Sequence, residues 1–244
     1  SLKEIVKEII DRASELLKRL LERSEDSLRT ASELLRKILE DSRRSLRTIA
    51  RLLEELLRTD GPEEELERAA RRVKEELERL HKEIRDVIEE IKKTLKKLNE
   101  DLREAIERVK RELERLLKEL EDSGVPRELL ELVKRVVELM AELLDRLLKL
   151  NEKILRDIMK ILDEILDLNR EILRLVKEII ELIRRDGPDR EIEKEIRRIL
   201  EELKRKHDEI EKKIRELERE IKRKHEELED RIRKIERDLD RRTK

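Results

Sequence analysis

The chain has 244 residues, of which 54% are Asp, Glu, Lys or Arg and none is Phe, Tyr, Trp or Cys. Its 65 basic and 66 acidic residues are interspersed, so no basic stripe points to nucleic acid or an anionic lipid surface. Without cysteine there is no disulfide framework or thiolate-bound metal, and without aromatic residues the core must be Leu, Ile and Val packed along helix seams.

No uncharged run approaches the roughly 18 residues of a membrane span, and the opening Ser1-Leu2-Lys3-Glu4 does not resemble a signal peptide. The expectation is a soluble protein, cytoplasmic when expressed recombinantly, with neither nucleic acid nor membrane among its partners.

Three interruptions divide the chain: Asp60-Gly61-Pro62, Ser123-Gly124-Val125-Pro126 and Asp186-Gly187-Pro188. Gly supplies the left-handed conformation that ends one helix, and Pro fits the first turn of the next, where its missing N–H costs nothing. The sequence therefore predicts helices over about 2–59, 62–122, 126–185 and 188–242, each on the order of 90 Å long at 1.5 Å per residue. Such short loops force neighbours antiparallel. The predicted fold is all-α, an antiparallel up-down-up-down four-helix bundle occupying 1–244 as one domain.

The first helix carries Ser24, Ser27-Leu28-Arg29-Thr30 and repeats them eighteen positions later as Ser42, Ser45-Leu46-Arg47-Thr48. The second carries Leu66, Ile84, Leu102 and Leu120 on the same interval. The third is the most apolar, with pairs such as Val136-Val137, Leu143-Leu144, Ile161-Leu162 and Ile179-Ile180 recurring every three or four residues, and it repeats Asn151 as Asn169. In the fourth, a seam of Ile192, Ile196, Ile199, Leu203, Ile210, Ile214, Leu217, Ile221, Leu228, Ile232, Ile235 and Leu239 includes His207 and His225, again eighteen apart. Eighteen positions in five turns is 3.6 per turn, the period of an unstrained α-helix, so the roughly 60-residue helices should be nearly untwisted instead of supercoiled on a heptad.

The apolar arcs are unequal, about 140°, 120°, 180° and 80° for the four helices in order. A rhombic section accounts for this if the first and third helices touch across the short diagonal. The alternative is an exposed stripe on the third helix that covers a second copy or a designed helical partner.

Polar residues interrupt the seams at matching heights once the antiparallel directions are taken into account. Ser24, Ser27, Asn99, Asn151 and His225 form one set, and Ser42, Ser45, His81, Asn169 and His207 form another, roughly 27 Å away. A buried hydroxyl, amide or imidazole without a partner costs about 1–3 kcal/mol, so a connected layer penalises any register that breaks its bonds. The local alternative for each Ser is to bond the carbonyl four residues back, and Thr30, Thr48 and Thr94 read as boundary residues.

Catalysis and metal binding find no support in the pattern. His207 and His225 lie five turns apart and cannot share an ion, and the Ser and Asn beside them are weak zinc ligands. All three glycines are used in turns, which leaves none for a phosphate loop, and the many carboxylates alternate with cations as solvated ion pairs. The expected catalytic, cofactor and metal residues are therefore none, and no partner is required.

The Gly-Pro turns, the aromatic-free Leu/Ile core, the dense Glu/Lys/Arg surface and the evenly repeated Ser/Asn/His layers resemble computationally designed, parametric helical bundles with modular hydrogen-bond networks. The resemblance runs along the whole chain. It implies a synthetic scaffold with no natural substrate; the competing reading is a helix-recruiting or self-associating module that uses the broad face of the third helix. Three histidines in seams also imply a response to pH, with the neutral imidazole favouring the fold.

Overall fold

The computed structural model describes residues 2–243, and among them there are four helices and no strand: α1 (Leu2–Leu57), α2 (Glu63–Asp122), α3 (Arg127–Asp186) and α4 (Arg190–Thr243). The all-α bundle class follows from composition, since good helix formers fill almost every position between the turns. Each helix carries acidic residues in its first turn, Glu4, Glu63–Glu65, Glu128 and Glu191 with Glu193, where they oppose the helix dipole.

The turns follow the sequence signals with two differences. Gly124 and Gly187 adopt φ of 68° and 73°, the left-handed conformation expected of a helix stop, whereas Gly61 does not. At the first turn α1 closes instead through Arg58 N–H to the Glu54 and Glu55 carbonyls, both at 3.2 Å, and Thr59 N–H to Leu56 at 3.3 Å. That tightening ends α1 at Leu57, short of the expected boundary at Thr59. Pro62 and Pro126 sit just ahead of their helices, their carbonyls accepting from Glu65 at 2.9 Å and Leu130 at 3.0 Å. Pro188 lies one position further out, because Asp189 takes the capping position and its carboxylate accepts the Glu191 N–H.

The helices contribute to two compact units. One contains α1 as far as Ala31, α2 from Thr94, α3 as far as Asp157 and α4 from Leu217; the other contains the remaining length of each helix. The first unit has a core of Val6, Leu17, Leu113, Leu120, Val133, Met140 and Leu144, all at most 2% exposed. In the second, Leu35, Ile88, Leu162, Ile165, Ile180 and Ile214 are completely buried. Each such side chain contributes about 1.5–3 kcal/mol through removal from water. Along α4 every apolar seam position named from the sequence is buried except Ile235, which is partly covered.

The surface obeys the same interval. Lys110 pairs with Asp145 in the first unit, while Lys92 with Asp163 and Lys74 with Glu181 pair in the second, so cations on α2 and carboxylates on α3 both step by five helical turns. Exposed pairs of this kind contribute roughly 0–1 kcal/mol each, so their effect is to bias the register of α2 on α3 more than to hold the fold together.

Candidate functional site

Because a Ser or Asn on a helix face points its polar tip only a few ångströms from the backbone, it can reach across a seam only where helices approach closely. Ser24 and Ser42 occupy such points on α1 and are fully buried. In the first unit His225 Nδ1–H donates to the Ile221 carbonyl at 2.6 Å, which leaves Nε2 as an acceptor. Ser24 O–H donates to that nitrogen at 3.0 Å, and Asn151 Nδ2–H donates to the Ser24 oxygen at 3.3 Å. The result is a one-way relay from α3 through α1 and α4 to a backbone carbonyl.

The second unit repeats the chemistry five turns along each helix. His207 Nδ1–H donates to Leu203 at 2.7 Å, Ser42 O–H to His207 Nε2 at 2.7 Å, and Asn169 Nδ2–H to Ser42 at 3.0 Å. Asn169 also donates to the Ile165 carbonyl at 2.8 Å. In both relays the Asn–Ser bond joins α1 to α3, the pair placed on the short diagonal from the widths of their apolar arcs.

The other polar residues named from the sequence lie outside these relays. Asn99 and His81, the contributions of α2, are only half-buried, and Asn99 Oδ1 and His81 Nδ1 have no hydrogen-bond partner. Asn151 Oδ1 is likewise without one. Ser45 is buried and Ser27 half-buried, one turn beyond the relay serines. Thr30 and Thr48 bond the carbonyls of Asp26 and Arg44 at 3.0 and 3.1 Å, the local alternative open to any mid-helix hydroxyl.

Burial pushes all three imidazoles below the ordinary histidine value, and their neighbours then separate them. For His207 the Leu203 carbonyl and Asp208 oppose burial while Arg43 adds to it. For His225 the Ile221 carbonyl and Glu25 oppose burial, and His81 is depressed further by Arg85, Arg170 and Lys177. Protonation of Nε2 would remove the acceptor that the serine O–H uses and set an N–H against that hydroxyl proton, so the neutral imidazole is the form that fits each relay. Both ring nitrogens of His207 and of His225 are thus engaged by groups of the chain itself.

Sequence reasoning missed a second polar rung. Ser14 and Ser32 are 3% and 2% exposed, and Ser14 O–H donates to the Glu236 carboxylate. Burial raises the Glu236 pKa, but hydrogen bonds from Lys18 and Ser14 outweigh it and hold the group below the usual carboxylate value. The signal was available, since Ala13-Ser14 recurs as Ala31-Ser32 at the interval shared by all four helices. Each of these serines follows an alanine on an otherwise apolar face, and so reads as part of the seam.

Among the described residues no group of three or more His, Cys, Asp or Glu is placed to hold a metal ion, and no helix is long and apolar enough to cross a membrane. No protein-family model matches the sequence, and no curated protein matches it. Among solved structures the chain is similar to a computationally designed three-helix bundle, with 21% identity over 86% of this chain and 92% of that one and a TM-score of 0.32.

Proposed function

We propose that the chain is a structural scaffold of the designed-bundle type, with no biochemical activity of its own and a register set by two buried Ser/Asn/His relays. One observation carries this reading: the Asn–Ser–His bonds and the His–carbonyl bond of the first relay recur in the second after five turns, directed at one another and the backbone, with Asn151 Oδ1 alone left without a partner among the relay side chains described. A catalytic or binding site would instead leave such groups aimed into a cleft. Supporting it, the broad apolar face of α3 is largely used within its own units, with Leu139 its one large hydrophobic residue above the exposure of a boundary position, at 39%.

The experiment is light scattering in dilute solution combined with removal of whole repeats. A self-sufficient scaffold gives the monomer mass of 29.7 kDa. It also keeps its helicity and its relay chemistry when one repeat of five turns is excised at matching heights from all four helices. A dimer mass at micromolar concentration, lost on Leu139→Glu, would favour the self-associating module instead.

A further inference from the structure

The Ser14–Glu236 rung has an apolar counterpart in the other unit. Two steps of the repeat along α1 lead from Ser14 through Ser32 to Ala50, and two steps back along α4 lead from Glu236 through Glu218 to Leu200. Ala50 and Leu200 face a groove of about 550 Å³ between α1 and α4, floored also by Leu46. A methyl group stands where the repeat elsewhere carries a hydroxyl, and an isobutyl group where it carries a carboxylate. The floor is consequently apolar and short of side-chain volume. His207 underlies one end of it, with both ring nitrogens already spent on Leu203 and Ser42.

The walls carry five cations against two acids, but Asp208, Glu211 and Glu40 offset two of those cations, so the positive balance rests on the remaining three. Arg43 and Arg47 line the groove but are already paired, with Asp208 at 2.9 Å, Glu211 at 2.7 Å and Glu40 at 2.9 Å. Arg51, Arg197 and Lys204 also line it, and among the described residues none of these three has an ion-pair partner. Glu54 and Glu201 are the only acids in the wall. The volume falls within the roughly 300–1,000 Å³ of small-molecule sites, and the pattern of an apolar floor under a cationic rim matches one chemistry.

We infer that this groove is a binding site for an amphiphilic organic anion, a single-chain carboxylate whose tail lies over Leu46, Ala50 and Leu200 and whose head is held by Arg51, Arg197 and Lys204. This goes beyond a purely structural role and does not depend on it, because the relay bonds are made in the interior whereas the groove opens to solvent. The tail supplies affinity through burial and the rim supplies the preference for an anion.

The test uses the full chain and decanoate below its aggregation threshold, followed by two-dimensional NMR of the methyl groups, with decanol as the neutral probe. Expected are saturable shifts confined to Leu46, Ala50 and Leu200 at one decanoate per chain, and binding at least about threefold weaker for decanol or for the R51Q/R197Q/K204Q variant. The A50S/L200E variant rebuilds the polar rung that the chain carries at Ser14 and Glu236, and should weaken decanoate about tenfold or more by placing a carboxylate under the tail. Should that variant not fold, the three exposed rim substitutions still decide the matter. Equal binding of decanol and decanoate, shifts spread over the whole molecule, or no loss in the rim variant would overturn the proposal. So would a doubled mass with the same residues shifted, which would put a second copy over the groove.

Discussion

Replacing Ser24 by Ala removes the one hydroxyl that both Asn151 and His225 depend on. His225 Nε2 loses its donor and Asn151 Nδ2 its acceptor, while Asn151 Oδ1 already has no partner. With about 1–3 kcal/mol for each of the two buried groups left unsatisfied, the cost is about 2–6 kcal/mol. Ser42→Ala differs in one respect: Asn169 keeps its bond to the Ile165 carbonyl, so chiefly His207 is stranded and the cost is about 1–3 kcal/mol. Removing all three polar groups of the first relay together, as S24A/N151L/H225L, should restore most of the loss, because no orphan then remains. Guanidinium titrations followed by circular dichroism at pH 7.5 would measure this, with Thr30→Ala as an exposed reference. If S24A proves no more costly than Thr30→Ala, or the triple variant is the least stable of the set, the relays are not what fixes the register.

Four further outcomes follow from the same structure. Because folding lowers the pKa of all three histidines, their contribution is full above the ordinary value near 6.5 and declines as pH falls from there toward the folded values; the denaturant midpoint should drop between pH 7.5 and 5, and less so when His81, His207 and His225 are all Leu. Imidazole titration by NMR should show Arg43→Gln raising the His207 midpoint, by removing a nearby cation and freeing Asp208, and Glu25→Gln lowering that of His225. Gly124→Ala should destabilise by about 1–2 kcal/mol at a φ of 68°, whereas Gly61→Ala displaces only the flexible Glu65 side chain and should cost less by the same titration. Ile154→Ala, at a completely buried position, should cost about 2–5 kcal/mol; a loss below about 1 kcal/mol would mean the seam collapses around the gap.

The fold was legible because every level of the sequence agrees. Composition, turn residues and the five-turn period all specify long antiparallel helices, and the α4 seam could be named almost residue by residue. The polar layers were legible in height but not in connectivity. Whether a polar tip reaches its neighbour depends on how far the helix axes stand apart, and one-dimensional counting carries no such distance. Ser24, Asn151 and His225 meet, while Asn99, at nearly the same height, is only half-buried and leaves its Oδ1 without a partner. Gly61 shows a related limit, since Gly and Pro read alike at all three turns and only the local hydrogen bonding at Arg58 and Thr59 shows that one helix stop needs no left-handed residue.

The exclusion of α2 from both relays divides the labour of recognition unequally among the helices. α1, α3 and α4 are keyed to one another by directional bonds, whereas α2 meets its neighbours through side-chain shape and a ladder of exposed ion pairs that looks the same after every five turns. A displaced α2 would forfeit no buried hydrogen bond of the relays, so it is the helix whose sequence can be exchanged at least cost to the identity of the rest.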